Sequence, residues 1–299
     1  MKKFAMLGLL LPLYGYAEAH ETNEGITLAD VVVTGTRETS DIRHLPMTVT
    51  NVSRSELEKN EQTNVLPSAV MKVPSLFVTT RGMMGYGVSG GAAGGVNLRG
   101  ISGGTGGLLV LIDGHPQYQG IFGHPISDSY QAMIADRVEV LRGPASVLYG
   151  SNAMGGVINI VTRGMKEDGV KTDINISGGS WGTAQVEATN RLKKGKFSST
   201  VSGQYGRSDN HRPRMGFEQY GGYLKLGYDF NENWNIWADG NVTHFNASQP
   251  GAVDAPMYEA DQWITRGVAT LALDNHFKHT NGRISVYDNF GRHKINDGY

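Results

Sequence analysis

The chain has 299 residues, no cysteine, and 27 basic against 28 acidic side chains. No disulfide framework or thiolate metal site can form, and scattered, nearly balanced charges exclude the basic stripe of a nucleic-acid binder. Glycine, at 41 residues, stands at roughly twice its usual ~7% share without a collagen period, which reads as many turns joining many strands.

The first element, "MKKFAMLGLLLPLYGYAEAH", sets two lysines ahead of an apolar run and closes on Ala17-Glu18-Ala19. That is the pattern of a secretory signal peptide, with cleavage predicted after Ala19. The apolar run falls short of the ~20 residues that a membrane-spanning helix needs. Next comes "DVVVTGTR". Its core, Asp30, Val31, Val32, Val33 and Thr34, reads as an extended segment that a partner can lengthen by β-augmentation, or as the first strand of the domain that follows.

"SRSELEKNEQTNVLPSAVMKVPSL" predicts a helix capped at Ser53 or Ser55 and stopped by Pro74. A glycine-rich stretch over 81–107 leads into the buried-strand run "GGLLVLIDG". The loop "DGHPQYQGIFGHPISDSY", Asp113 to Tyr130, is the best candidate for ligand contact. His115 and His124 each precede a proline, with Tyr118, Phe122 and Tyr130 between and after them. Aromatic faces suit a flat metal macrocycle, and an imidazole can ligate haem iron. The same residues also read as turn residues, with proline fixing each bend; no metal site is assigned.

"VEVLRGPASVLYGSNAMGGVINIVTR" has the glycines of a nucleotide-binding loop but not its chemistry. No Lys-Ser/Thr pair follows the last glycine, and the residues after Gly156 are β-branched, favouring a strand over a helix. His-Glu-x-x-His is absent and no Asp, Glu and His residues cluster at ligand spacing, so nothing supports an enzyme reading and no cofactor is expected.

Past 162–169 the pattern changes to seven alternating segments, beginning "VKTDINISGG" and ending "GRISVYDNFGRH". In the fourth, Tyr220, Gly222, Leu224, Leu226 and Tyr228 share one face, and Lys225 and Asp229 the other, a period-two strand. The turns "KKGK" and "NEN" are short, whereas "RSDNHRPRMG" and "NASQPGAVDAPMYEADQ" are long and polar. Short turns on one side and long loops on the other fit an outer-membrane β-barrel better than a soluble β-sandwich.

Four stretches, "DVVVTGTR", "VNLRGI", "VLIDG" and "DRVEVLRGPASVLYGSNAMGGVINIVTR", resemble in this order the TonB-dependent outer-membrane receptors of Gram-negative bacteria. The resemblance implies a fold class: an α+β plug domain followed by antiparallel strands of a transmembrane β-barrel, here about seven of the about 22 strands of the plugged class. It implies a signal peptide over 1–19, a TonB-box-like segment over 20–37, a plug over 38–165 and barrel strands over 166–299. Asp30 to Thr34 then become the contact for the inner-membrane protein TonB. Arg99, Gly100, Asp113, Gly114, Glu139, Arg142, Gly143, Gly150, Gly155 and Gly156 become structural plug residues. The last four glycines are expected to let plug strands turn tightly and approach the barrel wall, and Arg99, Arg142 and Glu139 to pair with that wall.

The implied partners are TonB, a metal-complex ligand and outer-membrane lipid, with no nucleic acid; the implied location is the Gram-negative outer membrane. The implied activity is energised uptake of haem or a ferric siderophore, with cobalamin as the alternative. A signal-transducing receptor would need a further folded domain ahead of the box, where only His20 to Ala29 lie, and a passive porin would lack the plug. A final expectation is that these residues are the N-terminal part of a longer receptor, and that expressed alone they aggregate, are degraded or yield only a plug-like domain.

Overall fold

The computed structural model describes residues 31–32, 40–41, 47–60, 63–80, 82–86, 95–102, 107–117, 126–150 and 152–297. The signal-peptide reading, Asp30, Val33 and Thr34, and the loop residues Tyr118, Phe122 and His124 lie outside them. Two short strands, β1 (Val31–Val32) and β2 (Ser40–Asp41), form an antiparallel pair. The N-terminal domain then runs β3 (Thr48–Ser53), α1 (Arg54–Lys59), α2 (Leu66–Lys72), β4 (Leu76–Val78), β5 (Val96–Leu98) and β6 (Ile101–Ser102). It continues with β7 (Leu108–Ile112), β8 (His115–Pro116), β9 (Ala135–Arg142), α3 (Ser146–Tyr149) and β10 (Gly156–Thr162).

The single helix expected over 53–76 is two. Ser53 caps α1 in a capping box with Glu56, while Pro67 sits in the first turn of α2. A proline is tolerated at a helix start but not in its interior, so the chain breaks between them. Five strands form a mixed sheet in the order β3-β9-β10-β7-β8, with β10 parallel to β7 and the other pairs antiparallel. The all-apolar run Leu108–Ile112 is buried along its whole length, as a central strand covered on both faces requires. One core gathers Val52, Leu66, Val110, Val138, Val140, Ile158 and Ile160 between this sheet and the helices.

The second part is a seven-stranded antiparallel meander: β11 (Gly169–Gly179), β12 (Thr183–Lys194), β13 (Phe197–Ser208), β14 (Phe217–Asp229), β15 (Trp234–Ser248), β16 (Ala260–His276) and β17 (Asn281–Asp297). Among the described residues the sheet is open, with β11 and β17 as its edges. Turns 195–196, 230–233 and 277–280 lie at one end, and 180–182, 209–216 and 249–259 at the other. Burial alternates strictly: Gln185, Glu187, Thr189 and Arg191 face the N-terminal domain while Val186 points away. Val201, Leu224, Leu226, Val242, Leu271, Ile284 and Val286 share that outer face and are exposed. Rings flank this apolar band. Tyr228 with Phe230 and Trp234 with Phe277 lie by the short turns, and Tyr205, Tyr220 and His244 nearer the long loops. A polar inner face, an apolar outer face and aromatic borders are what a lipid-embedded barrel wall requires.

Candidate functional site: the interface between plug and wall

The two motif turns are tight hairpins. Arg99 and Gly100 join β5 to β6 at φ +53° and +77°, and Asp113 and Gly114 join β7 to β8 at φ +48° and +83°. Two successive left-handed residues make the turn type whose twist suits a hairpin, which Asp-Gly favours strongly. The second hairpin carries Asp113 against the wall at the short-turn end. Lys225 Nζ lies 2.6 Å from Asp113 Oδ2, while the Thr162 hydroxyl and backbone N–H donate to the two carboxylate oxygens at 2.5 and 2.8 Å. Burial opposes ionisation of Asp113, but the Lys225 ammonium and the Thr162 bonds outweigh it and hold the carboxyl below its usual range.

Around this pair the wall is rigidly built. Arg283 forks onto Asp274 at 2.6 and 2.9 Å and donates to the Asp113 carbonyl at 3.2 Å, and Trp237 Nε1 donates to Asp274 at 2.9 Å. The Lys225 ammonium stands 4.4 Å above the Trp237 ring. These groups line a cavity of about 1030 Å³ together with Tyr149, Asn159 and Tyr287.

His115 follows the same turn and is buried. Its Nε2 is 3.0 Å from Ser285 Oγ, and its ring packs on Tyr287 and Trp237 at centroid distances of 5.3 and 5.7 Å. Burial, helped by the nearby Arg283 charge, pushes its imidazole pKa down. His115 is thus a contact between plug and wall at the short-turn end, not a side chain presented to the long loops. The sequence reading, which made this loop the candidate for ligand contact, could not show which way the Asp-Gly turn points. Tyr130, at the far end of the same loop, is also buried, packed in the core, with its carbonyl accepting from Val65 N–H. His115 and Tyr130 are not brought together.

At the long-loop end the contacts are of another kind. Met84, Ile126, Phe217, Phe245, Ala247 and Ile264 form an apolar cluster across the interface. Beside it Gln131 donates to Thr243 Oγ1 and Gln219 to the Asp128 carbonyl, and the Asp128 carboxylate accepts from Tyr86 N–H at 3.0 Å.

The motif charges and glycines act inside the plug. Glu139, fully buried on β9, pairs with Arg137 of its own strand at 2.8 Å rather than with the wall. A Cβ on Gly155 would sit 2.8 Å from the Gly107 carbonyl oxygen and one on Gly156 would strike that of Leu141, so these glycines permit plug strands to approach each other, not the barrel. Gly143 and Gly150 take φ of +126° and +85°, and the Gly143 N–H donates to the Gly155 carbonyl. Arg99 lies beside Gly143, with Nη1 3.7 Å from where a Cβ there would stand, and Arg142 keeps a buried Nε without a hydrogen-bond partner.

The ion pairs that do join plug to wall are ones that sequence reading misses. Beyond Lys225, Arg163 of the plug meets Asp173 of β11 at 2.8 Å, and Arg191 of β12 holds the same carboxylate from within the wall at 2.7 Å. The only sequence signal for Lys225, Asp173 and Arg191 is charge at inward positions of period-two strands, and Arg163, just past the end of β10, carries none. The segment expected to be a TonB box contributes β1, where Val31 pairs with Asp41 and Val32 with Ser40; among the described residues no third strand joins this pair.

A plug seated on the polar inner face of an antiparallel sheet whose outer face is apolar defines a class, the plugged barrels. Residues 41–157 match the family TonB-dependent Receptor Plug Domain. The chain is 28% identical over 265 residues to the vitamin B12 transporter BtuB of Vibrio vulnificus, covering 86% of this chain and 39% of that protein. It is 34% identical over 168 residues to the iron-regulated outer membrane virulence protein of Vibrio cholerae, covering 52% and 23%. Its fold resembles the alcaligin outer membrane receptor FauA of Bordetella pertussis, with a TM-score of 0.70, 19% identity and coverage of 89% and 43%. The ferripyoverdine receptor of Pseudomonas aeruginosa gives 0.74, 16%, 89% and 37%. Residues 41–157 thus match the plug domain of the TonB-dependent receptors, and the chain spans 39% of the length of the vitamin B12 transporter it matches.

Proposed function

We propose that the protein carrying this chain is an outer-membrane receptor that takes up a scarce metal complex, driven by contact with an inner-membrane TonB protein. It is a transporter and not an enzyme. The observation that carries the reading is the plug itself, pinned to the wall by Asp113–Lys225 at one end and by the Phe217–Phe245 cluster at the other. A lumen stoppered in this way needs work to open. The short-turn end then faces the periplasm and the long loops face outward.

Ferric siderophores or haem are the favoured ligands, supported by the iron-regulated relative and by siderophore receptors among the structural neighbours. Cobalamin is the second reading, favoured by the vitamin B12 transporters among the relatives. Val31 and Val32 supply the strand that TonB extends. In the intact receptor, Val32→Pro removes a ladder N–H from that strand. Uptake should fall at least tenfold while ligand binding at the cell surface stays within twofold. Uptake at the wild-type rate would sink the coupling role. Supplying a ferric trihydroxamate, haemin and cyanocobalamin separately to a receptor-deficient strain decides among the ligands.

A further inference from the structure

The interface between plug and wall is uneven. Against β14 to β17 it is held by the Asp113–Lys225 pair, the Arg283 and Asn289 bonds to the β7–β8 hairpin, and the apolar cluster at the long-loop end. Against β12 and β13 it is different. Gln185, Glu187 and Gln204 are 2%, 6% and 6% exposed, and all point inward. Gln185 Nε2, Glu187 Oε1 and both amide atoms of Gln204 are buried without a hydrogen-bond partner. The strand register makes these residues neighbours, Glu187 opposite Gln204 and Gln185 opposite Gly206.

Facing them from the plug, Gln131 also leaves its Oε1 unpartnered. The Gln131 and Gln204 side chains meet over Gly221, where an added Cβ would strike both. Inner-wall glycines bring the plug close here: a Cβ on Gly206 would stand 3.2 Å from Thr63 Cγ2.

Buried polar atoms are nearly always paired, and each unpaired one carries an uncompensated desolvation cost. Four of them on neighbouring residues of β12 and β13, with Gln131 facing, make that strip a weakly held part of the seated plug, whereas the unpaired Oδ1 atoms of Asp239 and Asn289 stand singly among the bonds of β14–β17. The same atoms are donors and acceptors free to bind something passing by.

We infer that the ligand crosses between the plug and the inner face of β12–β13, and that Gln185, Glu187 and Gln204 contact it in transit. This rests on the uptake reading above. The chemistry suits a hydrophilic metal complex bearing amide, hydroxyl or hydroxamate groups, which can exchange hydrogen bonds with two glutamines and a carboxylate. An apolar cargo would gain nothing from this strip. The plug would part from the wall along it while remaining held at β14–β17.

The chain has no cysteine, so tethers can be placed cleanly. In the intact receptor, Thr63→Cys with Gly206→Cys closes the strip as a disulfide. Pro116→Cys with Asn289→Cys, joined by a short bis-methanethiosulfonate linker, ties the plug to β17 instead. The probe is whichever of radiolabelled ferric trihydroxamate, haemin or cyanocobalamin the untethered parent accumulates.

The first tether should lower uptake at least tenfold, with surface binding retained and uptake restored by reductant. The second should leave uptake within twofold. Block by both tethers would mean the whole plug must leave the wall, and block by the second alone, or by neither, would place the path elsewhere; each overturns the inference. A parent without energised uptake of any probe would instead overturn the uptake reading itself. Reversal by reductant separates a closed path from a misfolded variant.

Discussion

The Asp113 side chain is only 11% exposed, and its two carboxylate oxygens are shared among Lys225 Nζ, the Thr162 hydroxyl and the Thr162 N–H. Removing the ammonium alone strands a buried charge, so Lys225→Ala should destabilise the seated plug by about 3 kcal/mol, whereas Asp113→Asn with Lys225→Ala should cost less than half of that. Thermal unfolding of the intact receptor over the four members of the cycle measures the difference. Because the Asp113 carboxyl is held below its ordinary value, its contribution is full above that value and lost as pH falls through the lower, folded one. Gly156 acts through shape instead. At φ +149°, with the Leu141 carbonyl in the way of any Cβ, Gly156→Ala should cost about 3 kcal/mol or more. Protease resistance of the plug in the assembled receptor reports the loss, and wild-type resistance would refute the close approach.

At the scale of one element, α1 depends on a charge. Partial burial of Glu56 is outweighed by its bonds to Lys72 and to the Ser53 N–H and hydroxyl, which bring its carboxyl from 4.5 down to about 2. The folded value is the lower one, so this stabilisation is complete above pH 4.5 and disappears as pH falls toward about 2. Amide protection of Arg54–Lys59, corrected for intrinsic exchange, should fall over that window and lose its pH dependence in Glu56→Gln. Ser53→Ala removes the cap at every pH and should cost about 1 kcal/mol.

For the whole molecule, the outward face of the sheet sets the solvent it can occupy. Leu224 lies midway along β14 on that face. Arginine there should cost about 2–4 kcal/mol in a bilayer and lower the amount of heat-modifiable receptor in outer-membrane fractions, while Leu224→Ala should be tolerated. Equal levels for the two variants would contradict a lipid-facing surface. The inward face obeys the opposite rule, accepting Gln185, Thr189, Thr200 and Ser202 because it meets a protein plug rather than hydrocarbon.

The sequence by itself determined what local rules govern. Period two assigned Tyr220, Leu224 and Leu226 to one face of a strand and Lys225 to the other, alternating turn lengths set the two ends of the sheet, and Asp-Gly set a hairpin. Composition, with no cysteine and abundant glycine, pointed to strands and turns, and the motif run through Arg163 pointed to the plug family. Tertiary structure alone decided which distant side chains meet. Nothing in "VLIDGHP" shows that Asp113 reaches Lys225, or that His115 turns to Ser285 and Trp237, because those partners lie more than a hundred residues away and are chosen by how the plug seats in the wall. The same holds for Gly156, whose close neighbours Leu141 and Leu98 lie on other plug strands. Local propensity fixes a strand's faces through backbone geometry. Contact between faces depends on the packing of elements far apart in sequence, which no short window of residues encodes.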